Sequence, residues 1–267
     1  MCDKLELQQA RTFIYRNAYP QEFHALLRGA TCHDNSYSPN ATVIFIDKDD
    51  GYYLKSAAKG KLQRQADMTR YFHGKGLSGK VLSYLSAEKD WLLTAGVQGD
   101  DCIAEKYLAQ PERLCDILAE QLARLHALDF ADCPVKNHTE QYLATVERNY
   151  RTGEYDKSNF PENYGYASAE EAWAVVQTQG HLLQNNTLLH GDYCMPNIIL
   201  KDWTFSGFID LDSGGVGDRH VDLFWALWSL EHNLQTPQYN QRFIDAYGRD
   251  NIDENMLRVV AACEVFG

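Results

Sequence analysis

The sequence predicts an α+β fold in two parts, a small β-rich N-terminal lobe and a larger, mostly helical C-terminal lobe. β-rich runs separated by turn signals occupy much of 41–94, whereas apolar residues recur at helical spacing from Pro111 onward. A chain of 267 residues is long enough for one large domain or for two lobes. We therefore expect an N-terminal lobe over 1–97 and a C-terminal lobe over 98–267.

The N-terminal lobe is expected to be a β-sheet with one main helix. Residues 3–29 carry apolar residues at mixed helical spacing, which predicts one or two short helices. Asp49-Asp50-Gly51 is a turn signal between two β-rich runs and predicts a hairpin. The elements expected here are strands over 41–46, 52–55, 81–84 and 91–94 and a helix over 60–73.

The C-terminal lobe is expected to be built from helices around one hairpin. Pro111 opens the clearest helix, because proline suits a first helical turn and leucines follow at helical spacing. The helices predicted from the sequence cover 111–128, 138–151, 168–184, 218–233, 238–248 and 253–266.

Composition narrows the class of protein. No apolar run is as long as a membrane span, and the start MCDKLELQQA lacks a signal-peptide core, so we expect a cytoplasmic protein. Seven scattered cysteines without a CxxC pair indicate a reducing compartment. The net charge of −12 disfavours nucleic acid and anionic membranes as partners and favours a polycationic ligand.

The candidate catalytic and metal-binding residues lie in 187–222. His190-Gly191-Asp192 precedes a predicted hairpin, Asn197 follows Asp192 by five positions, and Asp210 ends the second strand. A hairpin brings Asn197 and Asp210 to the same end. Side-chain oxygens of this kind suit Mg²⁺ shared with phosphates, and the further carboxylate of Asp192 can accept a proton from a hydroxyl group. This spacing predicts phosphoryl transfer.

Three other motifs fit the sequence less well. GKGLSGKV over 74–81 fits a P-loop pattern, but Val81 replaces the Mg²⁺-binding Ser/Thr and a helix, not a strand, precedes it. FIDLDSG over 208–214 resembles the nucleophile motif of haloacid-dehalogenase-type phosphatases, but Gly214 does not fit and the motif lies too late in the chain. An EF-hand loop starting at Asp210 lacks its final Glu, since Val221 stands there.

The segments HGDYCMPN and SGFIDLDSGGVGDRHVD resemble motifs of the aminoglycoside phosphotransferase and choline kinase families, in particular the aminoglycoside 3'-phosphotransferases. The resemblance extends from about Ser38 to Phe266. It implies a two-lobed protein-kinase-like fold and transfer of the γ-phosphoryl group of MgATP, or of GTP in its place, to a hydroxyl group. The implied acceptor is a small cationic molecule, most simply an aminoglycoside antibiotic.

The resemblance also implies roles for individual residues. It makes Asp192 the catalytic group, and Asn197 and Asp210 the magnesium ligands. The nucleotide-binding residues that it implies are Lys55 and Ser38 at the phosphates, Tyr53 against adenine, and Ala95 and Val97 in the inter-lobe hinge. For the acceptor it implies Glu264, Phe266 and Asn233. Asp222 is expected to brace the catalytic loop, and His126 is expected to pack in the core.

Several positions depart from the family pattern. The family carries a Glu that pairs with the strand lysine, and Gln65 aligns there, with Asp67 two residues away. Met195, Ser213 and Asn233 replace, respectively, an Asp, an Arg and a carboxylate. Other acceptors (choline, homoserine, a macrolide or a sugar) therefore stay open, as does a weakly active nucleotide-binding protein. Whether the chain is a monomer or a dimer also stays open.

Overall fold

The computed structural model describes residues 18–36, 39–155 and 165–267. The chain divides into two compact units. The N-terminal unit contains 1–98 and 207–212, and the C-terminal unit contains 99–206 and 213–267. Each unit has its own sheet or sheets and its own buried apolar cluster, so the units are described in turn.

The N-terminal unit is built on an antiparallel sheet of five strands in the order β1-β2-β3-β5-β4. The strands are β1 (Thr31–Asp34), β2 (Ala41–Asp47), β3 (Tyr52–Ala58), β4 (Val81–Ser86) and β5 (Lys89–Ala95). The four predicted strands are confirmed. Sequence patterning missed β1, because its four residues, TCHD, show no apolar alternation.

Alternation along β3 separates a core face from a polar face. Leu54 is buried in a cluster with Ile44, Ile46 and Leu93, whereas Tyr53 and Lys55 point to the opposite face because successive strand residues alternate. The short helix α1 (His24–Leu27) contributes Leu27 to the same cluster. The part of the predicted 3–29 helical region that precedes residue 18 lies outside the described residues.

Helix α2 (Gln63–Gly74) confirms the predicted helix, and a buried carboxylate holds its start. Asp90 is fully buried and accepts hydrogen bonds from Leu62 N–H at 2.9 Å, Tyr84 Oη at 3.1 Å and Ser86 Oγ at 2.7 Å. Burial alone would raise the pKa of Asp90, but these donors hold that pKa at about 2. The first turn of α2 is thereby tied to β4 and β5.

The C-terminal unit is mostly helical, as predicted. Pro111 begins the long α4, and the predicted helices are found with ends shifted by a few residues. The helices are α3 (Glu105–Leu108), α4 (Pro111–His126), α5 (His138–Thr152), α6 (Ala169–Gln179), α7 (His220–Leu234), α8 (Asn240–Tyr247) and α9 (Glu254–Glu264). None of the helices within the described ranges is long and apolar enough to cross a membrane.

The predicted hairpin is confirmed as β8 (Ile198–Lys201) and β9 (Thr204–Phe208). Its turn residues Asp202 and Trp203 have φ of 49° and 66°, and two successive positive φ values suit a tight hairpin turn. The strand β6 (Asp100–Asp101) pairs with β8, and β7 (Thr187–Leu189) pairs with β10 (Gly215–Gly217). Sequence reasoning missed β6, β7 and β10, which are too short to show periodicity.

The last helix closes the core of the C-terminal unit. On α9, Val259, Val260 and Cys263 are fully buried in a cluster that also takes in Val176 of α6 and Val221 of α7. Burying such side chains stabilises the fold by roughly 1.5–3 kcal/mol each. Glu264, at the end of α9, is thus carried on a well-packed element.

Candidate active site

In the N-terminal unit, Lys55 and Asp210 form an ion pair. Lys55 Nζ lies 2.9 Å from Asp210 Oδ1, with side-chain exposures of 18% and 48%. The position of Lys55 is fixed by the sheet, where it pairs with Val43 on β2 and with Leu92 on β5. Two residues predicted from distant parts of the sequence are thus brought together.

Asp210 lies two residues beyond β9 and has a positive φ of 58°. Asp adopts this left-handed conformation more readily than most residues, and such conformations cluster at functional sites. The preceding strand end is held in the same unit by the Phe208 N–H, which donates to Leu77 O at 2.7 Å. The backbone is therefore held at Phe208 and turns sharply two residues later, at Asp210.

Gln65 also reaches this carboxylate. Its Nε2 donates to Asp210 Oδ1 at 3.0 Å, so Gln65 and Lys55 share one acceptor oxygen. Asp67, the other candidate on α2, instead bonds Gln63 and Arg70. A carboxylate only accepts hydrogen bonds, so the amide of Gln65 must turn its NH₂ group toward Asp210.

This orientation leaves Gln65 Oε1 without a hydrogen-bond partner among the described residues. Gln65 is only 8% exposed, so water does not readily replace the missing partner. A buried acceptor left in this state costs about 1–3 kcal/mol. The Gln65 side chain is thus satisfied at one end and unsatisfied at the other.

The other nucleotide-binding residues predicted in this unit are placed as follows. Tyr53 lies on the same face of β3 as Lys55, with its ring 5.1 Å from that of Phe45. Ala95 ends β5, and its N–H donates to Lys80 O at 2.9 Å. The N–H of Val97 makes no backbone hydrogen bond within the described ranges and can serve an external acceptor. Ser38 lies outside the described residues.

In the C-terminal unit, Asp222 holds the loop that carries Asp192. Its carboxylate accepts the backbone N–H of His190 at 2.8 Å and of Gly191 at 2.7 Å. The predicted bracing role of Asp222 is confirmed. Gly191 has φ of +85°, and a Cβ there would lie 2.1 Å from Ser213 O, so only glycine fits this turn.

His126 supports Asp222 from α4. Its Nε2 lies 3.1 Å from Asp222 Oδ2, and its Nδ1 lies 2.7 Å from Tyr247 Oη. Burial lowers the pKa of His126, which indicates a neutral ring whose Nε2–H donates to Asp222. Burial would raise the pKa of Asp222, but hydrogen bonds and the nearby histidines keep it below its ordinary value. His126 therefore does more than the packing that we expected.

Asp192 and Asn197 also lie together. Asn197 Nδ2 donates to Asp192 Oδ2 at 2.8 Å and to Asp192 O at 3.0 Å. Met195, between them, donates its N–H to Ser229 Oγ on α7 at 2.9 Å. The loop that carries Asp192 is therefore held by Asp222 at its start and by Ser229 near its end. The Asn197 amide points its NH₂ group at the Asp192 carboxylate, so its Oδ1 faces away from that carboxylate.

Glu264 is a buried carboxylate near the end of the chain. It is 8% exposed, and its Oε1 accepts the Tyr142 hydroxyl at 2.7 Å. Burial raises the pKa of Glu264 to about 7, hydrogen bonds from Tyr142 and Trp225 oppose that rise, and the charge of Asp192 adds to it. A carboxylate in this condition gains from a cationic partner, which would favour its ionised form.

The surroundings of Phe266 and Asn233 give less support for acceptor binding than those of Glu264. Phe266 is fully buried, with Tyr150 and Tyr155 edge-on to its ring, and its carbonyl accepts Asn149 Nδ2 at 2.7 Å. Asn233 turns back to donate to Ser229 O at 2.7 Å. This packing favours a supporting role for the Phe266 side chain, and the acceptor-binding roles of both residues stay predictions.

Sequence reasoning missed two residues that shape these groups. Tyr142 contacts Glu264 from 122 positions away, and Ser229 holds Met195 from 34 positions away. Neither belongs to a spaced motif, so the sequence carried no signal for them. Asp218 and His220 are only two positions apart, so their contact, 2.6 Å between Asp218 Oδ1 and His220 Nδ1, could have been predicted from the sequence. His220 Nε2 also accepts the N–H of Asp253 at the start of α9.

The buried state of Glu264 predicts a pH dependence of stability. Because its folded pKa of about 7 exceeds the ordinary 4.5, stability should fall as pH rises from about 4.5 to about 7 and then level off. The expected fall is about 3 kcal/mol. Urea unfolding of Glu264→Gln across this range should lack this part of the slope.

The exposed Glu120→Gln serves as the matched control, since Glu120 pairs with Arg124 on the surface of α4. Its pH profile should follow that of the wild-type protein. Equal slopes for Glu264→Gln and wild type would show that Glu264 is ionised in the folded protein at acidic pH.

An N-terminal sheet with a lysine–aspartate pair, and a helical unit with a braced HGD loop, define a kinase-like phosphotransferase. The model of the phosphotransferase enzyme family, APH, matches residues 36–259. A probable aminoglycoside 3'-phosphotransferase of Lactococcus lactis subsp. lactis (strain IL1403) is 51% identical over 252 residues, covering 93% of this chain and 95% of the relative. The chain belongs to this phosphotransferase family.

Other comparisons agree with the family and the fold. An aminoglycoside 3'-phosphotransferase of Niallia circulans is 32% identical over 177 residues, or 66% of this chain and 67% of the relative. The crystal structure of an aminoglycoside-3'-phosphotransferase of type VIII matches with a TM-score of 0.77 at 24% identity, over 94% of this chain and 96% of that one. An aminoglycoside phosphotransferase of Streptomyces rimosus matches with a TM-score of 0.72 at 21% identity, over 92% and 97%. The expected kinase-like α+β fold is confirmed.

Proposed function

We propose that this phosphotransferase is an aminoglycoside 3'-phosphotransferase that uses ATP and confers antibiotic resistance. The observation that carries the proposal is the 51% identity to the Lactococcus lactis relative over nearly the whole of both chains. Two contacts between the motif side chains support it: Lys55 pairs with Asp210, and Asn197 donates to Asp192.

In this proposal the acceptor hydroxyl oxygen forms a bond to the γ-phosphorus of ATP, and the bond to the β–γ bridging oxygen breaks to release ADP. Asp192 orients the hydroxyl group and takes its proton. Lys55 neutralises phosphate oxygens as a point charge. Catalysis of this kind depends on positioning and charge stabilisation, which the Asn197 amide supports by holding the Asp192 carboxylate.

The donor set suits magnesium as the accompanying cation. The Asp210 carboxylate and the Asn197 Oδ1 are hard oxygen ligands of the type that Mg²⁺ prefers. The described residues hold no group of three or more His, Cys, Asp or Glu side chains suited to a metal. Mg²⁺ is usually shared between a few carboxylate or amide oxygens and substrate phosphates, and the bound cation would supply neutralisation of phosphate charge.

The acceptor is proposed from charge. Glu264 gains from a cationic partner, and the net charge of −12 favours a polycation. Two solved structures of similar fold hold ADP with streptomycin in one case and ADP with hygromycin B in the other. Replacing an acidic residue by Met195 or Asn233 removes charge-assisted hydrogen bonds worth about 1.5–3 kcal/mol each, so weaker affinity for some aminoglycosides is expected.

A coupled assay of nucleoside diphosphate release, of ADP from ATP and of GDP from GTP, tests the proposal. Kanamycin and neomycin should be phosphorylated, whereas choline, homoserine and a macrolide should not. A 3'-deoxy analogue of kanamycin is the matched control, because it keeps the amino groups and lacks the proposed acceptor oxygen. Turnover of this analogue at the rate of kanamycin would contradict the 3' assignment, and turnover of none of these compounds would favour a nucleotide-binding protein.

A further inference from the structure

The Gln65 side chain has two ends in contrasting states. Its Nε2 donates to Asp210 Oδ1 at 3.0 Å, while its buried Oε1 accepts no hydrogen bond from any described residue. The Lys55 ammonium bonds the same Asp210 oxygen at 2.9 Å. Lys55 Nζ and Gln65 Nε2 therefore meet at one carboxylate oxygen, and the ammonium group has three donors, of which this contact uses one.

We propose that Gln65 is a positioning residue that holds Asp210 through Nε2 and offers Oε1 to Lys55 when a divalent cation engages Asp210. The inference rests on the proposed function, because it takes Asp210 as a magnesium ligand. Without a cation, Asp210 itself anchors Lys55. With a cation, the Asp210 carboxylate is shared, and the Lys55 ammonium needs a second acceptor close by.

The chemistry of an amide explains why this residue serves both ends. A Glu at position 65 can accept from Lys55 but cannot donate to Asp210, and it would place a second negative charge beside that carboxylate. An apolar residue can do neither. The amide of Gln65 combines a donor, Nε2, which contacts Asp210, with an acceptor, Oε1, which has no partner among the described residues.

Helix α2 is held in a way that suits this role. Asp90 binds the Leu62 N–H just ahead of Gln65, and the neighbouring Ala66 and Met68 are fully buried. Gln65 therefore projects from a fixed backbone, so a movement of Oε1 toward Lys55 would involve its side-chain torsions alone.

The test compares ADP binding with and without a metal ion, using Mn²⁺ as the probe. Gln65→Met keeps an unbranched chain of similar length and loses both polar ends. Gln63→Met is the matched control, since Gln63 is an exposed residue of the same helix that bonds Asp67. Isothermal titration measures ADP affinity in saturating Mn²⁺ and in EDTA, and electron paramagnetic resonance measures free Mn²⁺ with ADP-saturated protein.

We expect Gln65→Met to weaken Mn²⁺ binding about tenfold, equivalent to about 1.4 kcal/mol. ADP affinity in saturating Mn²⁺ should fall at least threefold, whereas ADP affinity in EDTA should stay within twofold of wild type. Gln65→Glu, which keeps an acceptor for Lys55, should restore ADP affinity in saturating Mn²⁺. Gln63→Met should match wild type throughout.

Equal losses of ADP affinity in Mn²⁺ and in EDTA would overturn the proposal, because a purely structural effect does not depend on the cation. Mn²⁺ affinity within twofold of wild type in Gln65→Met would overturn it as well. If Gln65→Met does not fold, Gln65→Leu replaces it in the same comparison. Wild-type protein that binds no ADP in either condition would instead refute the proposed function, which separates the two failures.

Discussion

Asp192→Asn is expected to lower the rate of phosphoryl transfer by about 10²–10⁴-fold, because an amide cannot take the proton of the acceptor hydroxyl group. Nucleotide affinity should change little, since no part of the proposed nucleotide contact from Lys55, Tyr53 or Val97 is altered. The measurement is the kcat of ADP release with kanamycin, together with titration of ADP binding to the variant.

The matched control is Asp202→Asn. Asp202 lies in the turn between β8 and β9 with φ of 49°, a conformation that Asn also adopts readily, and it is exposed. Its kcat should stay within twofold of wild type. Undiminished kcat in Asp192→Asn would show that another group receives the proton, and the role of Asp192 would have to be abandoned.

Stability of Asp192→Asn is also informative. The Asn197 Nδ2 donates to Asp192 Oδ2 at 2.8 Å, and the substituted amide keeps an oxygen that can accept this bond. We therefore expect a small change in thermal midpoint. A large loss of activity with little loss of stability separates a chemical role from a folding role.

Local patterns in the sequence were enough for the elements that carry these groups. The hairpin β8–β9 was predicted because two apolar runs flank a polar turn, and α4 was predicted because Pro111 precedes leucines at helical spacing. Spacing also predicted that Asp192 and Asn197 work together, and the structure places them in direct contact. Each of these inferences uses residues within a few turns or one hairpin.

Long-range partners could not be predicted in the same way. Gln65 meets Asp210 from 145 positions away, and Tyr142 meets Glu264 from 122 positions away. Periodicity reports which face of an element is buried, but not which polar side chain on another element satisfies it. The buried carboxylate of Asp90 escaped notice because an Asp in a strand reads as a surface residue until its donors are seen.

Asp222 illustrates the difference between position and partner. Its place in the DRHVD segment suggested a bracing role, but its hydrogen bonds to two consecutive loop N–H groups and to His126 depend on three separate segments. The loop geometry then follows from the free-energy cost of leaving buried hydrogen-bond donors unpaired. A buried N–H without an acceptor is expensive, and Gly191 allows both N–H groups to face one carboxylate.

Asp222→Ala should therefore be strongly destabilising. It removes the acceptor of the His190 and Gly191 N–H groups and of the His126 ring in a fully buried place. A buried donor left without an acceptor costs about 1–3 kcal/mol, so the loss of three acceptor contacts should cost at least about 3 kcal/mol. At roughly 2–4 °C per kcal/mol for a protein of this size, the thermal midpoint should fall by about 10 °C.

The same substitution should lower kcat, because the loop that carries Asp192 loses its anchor. Differential scanning calorimetry and the ADP-release assay measure the two effects. Asp245→Ala is the control: Asp245 pairs with Arg249 on the surface of α8, and exposed pairs contribute about 0–1 kcal/mol. Asp222→Asn keeps one accepting oxygen, so its thermal midpoint should lie between those of Asp222→Ala and Asp245→Ala. A midpoint for Asp222→Ala within 2 °C of wild type would mean that water or a shifted loop replaces the carboxylate, and that Asp222 does not set the position of Asp192.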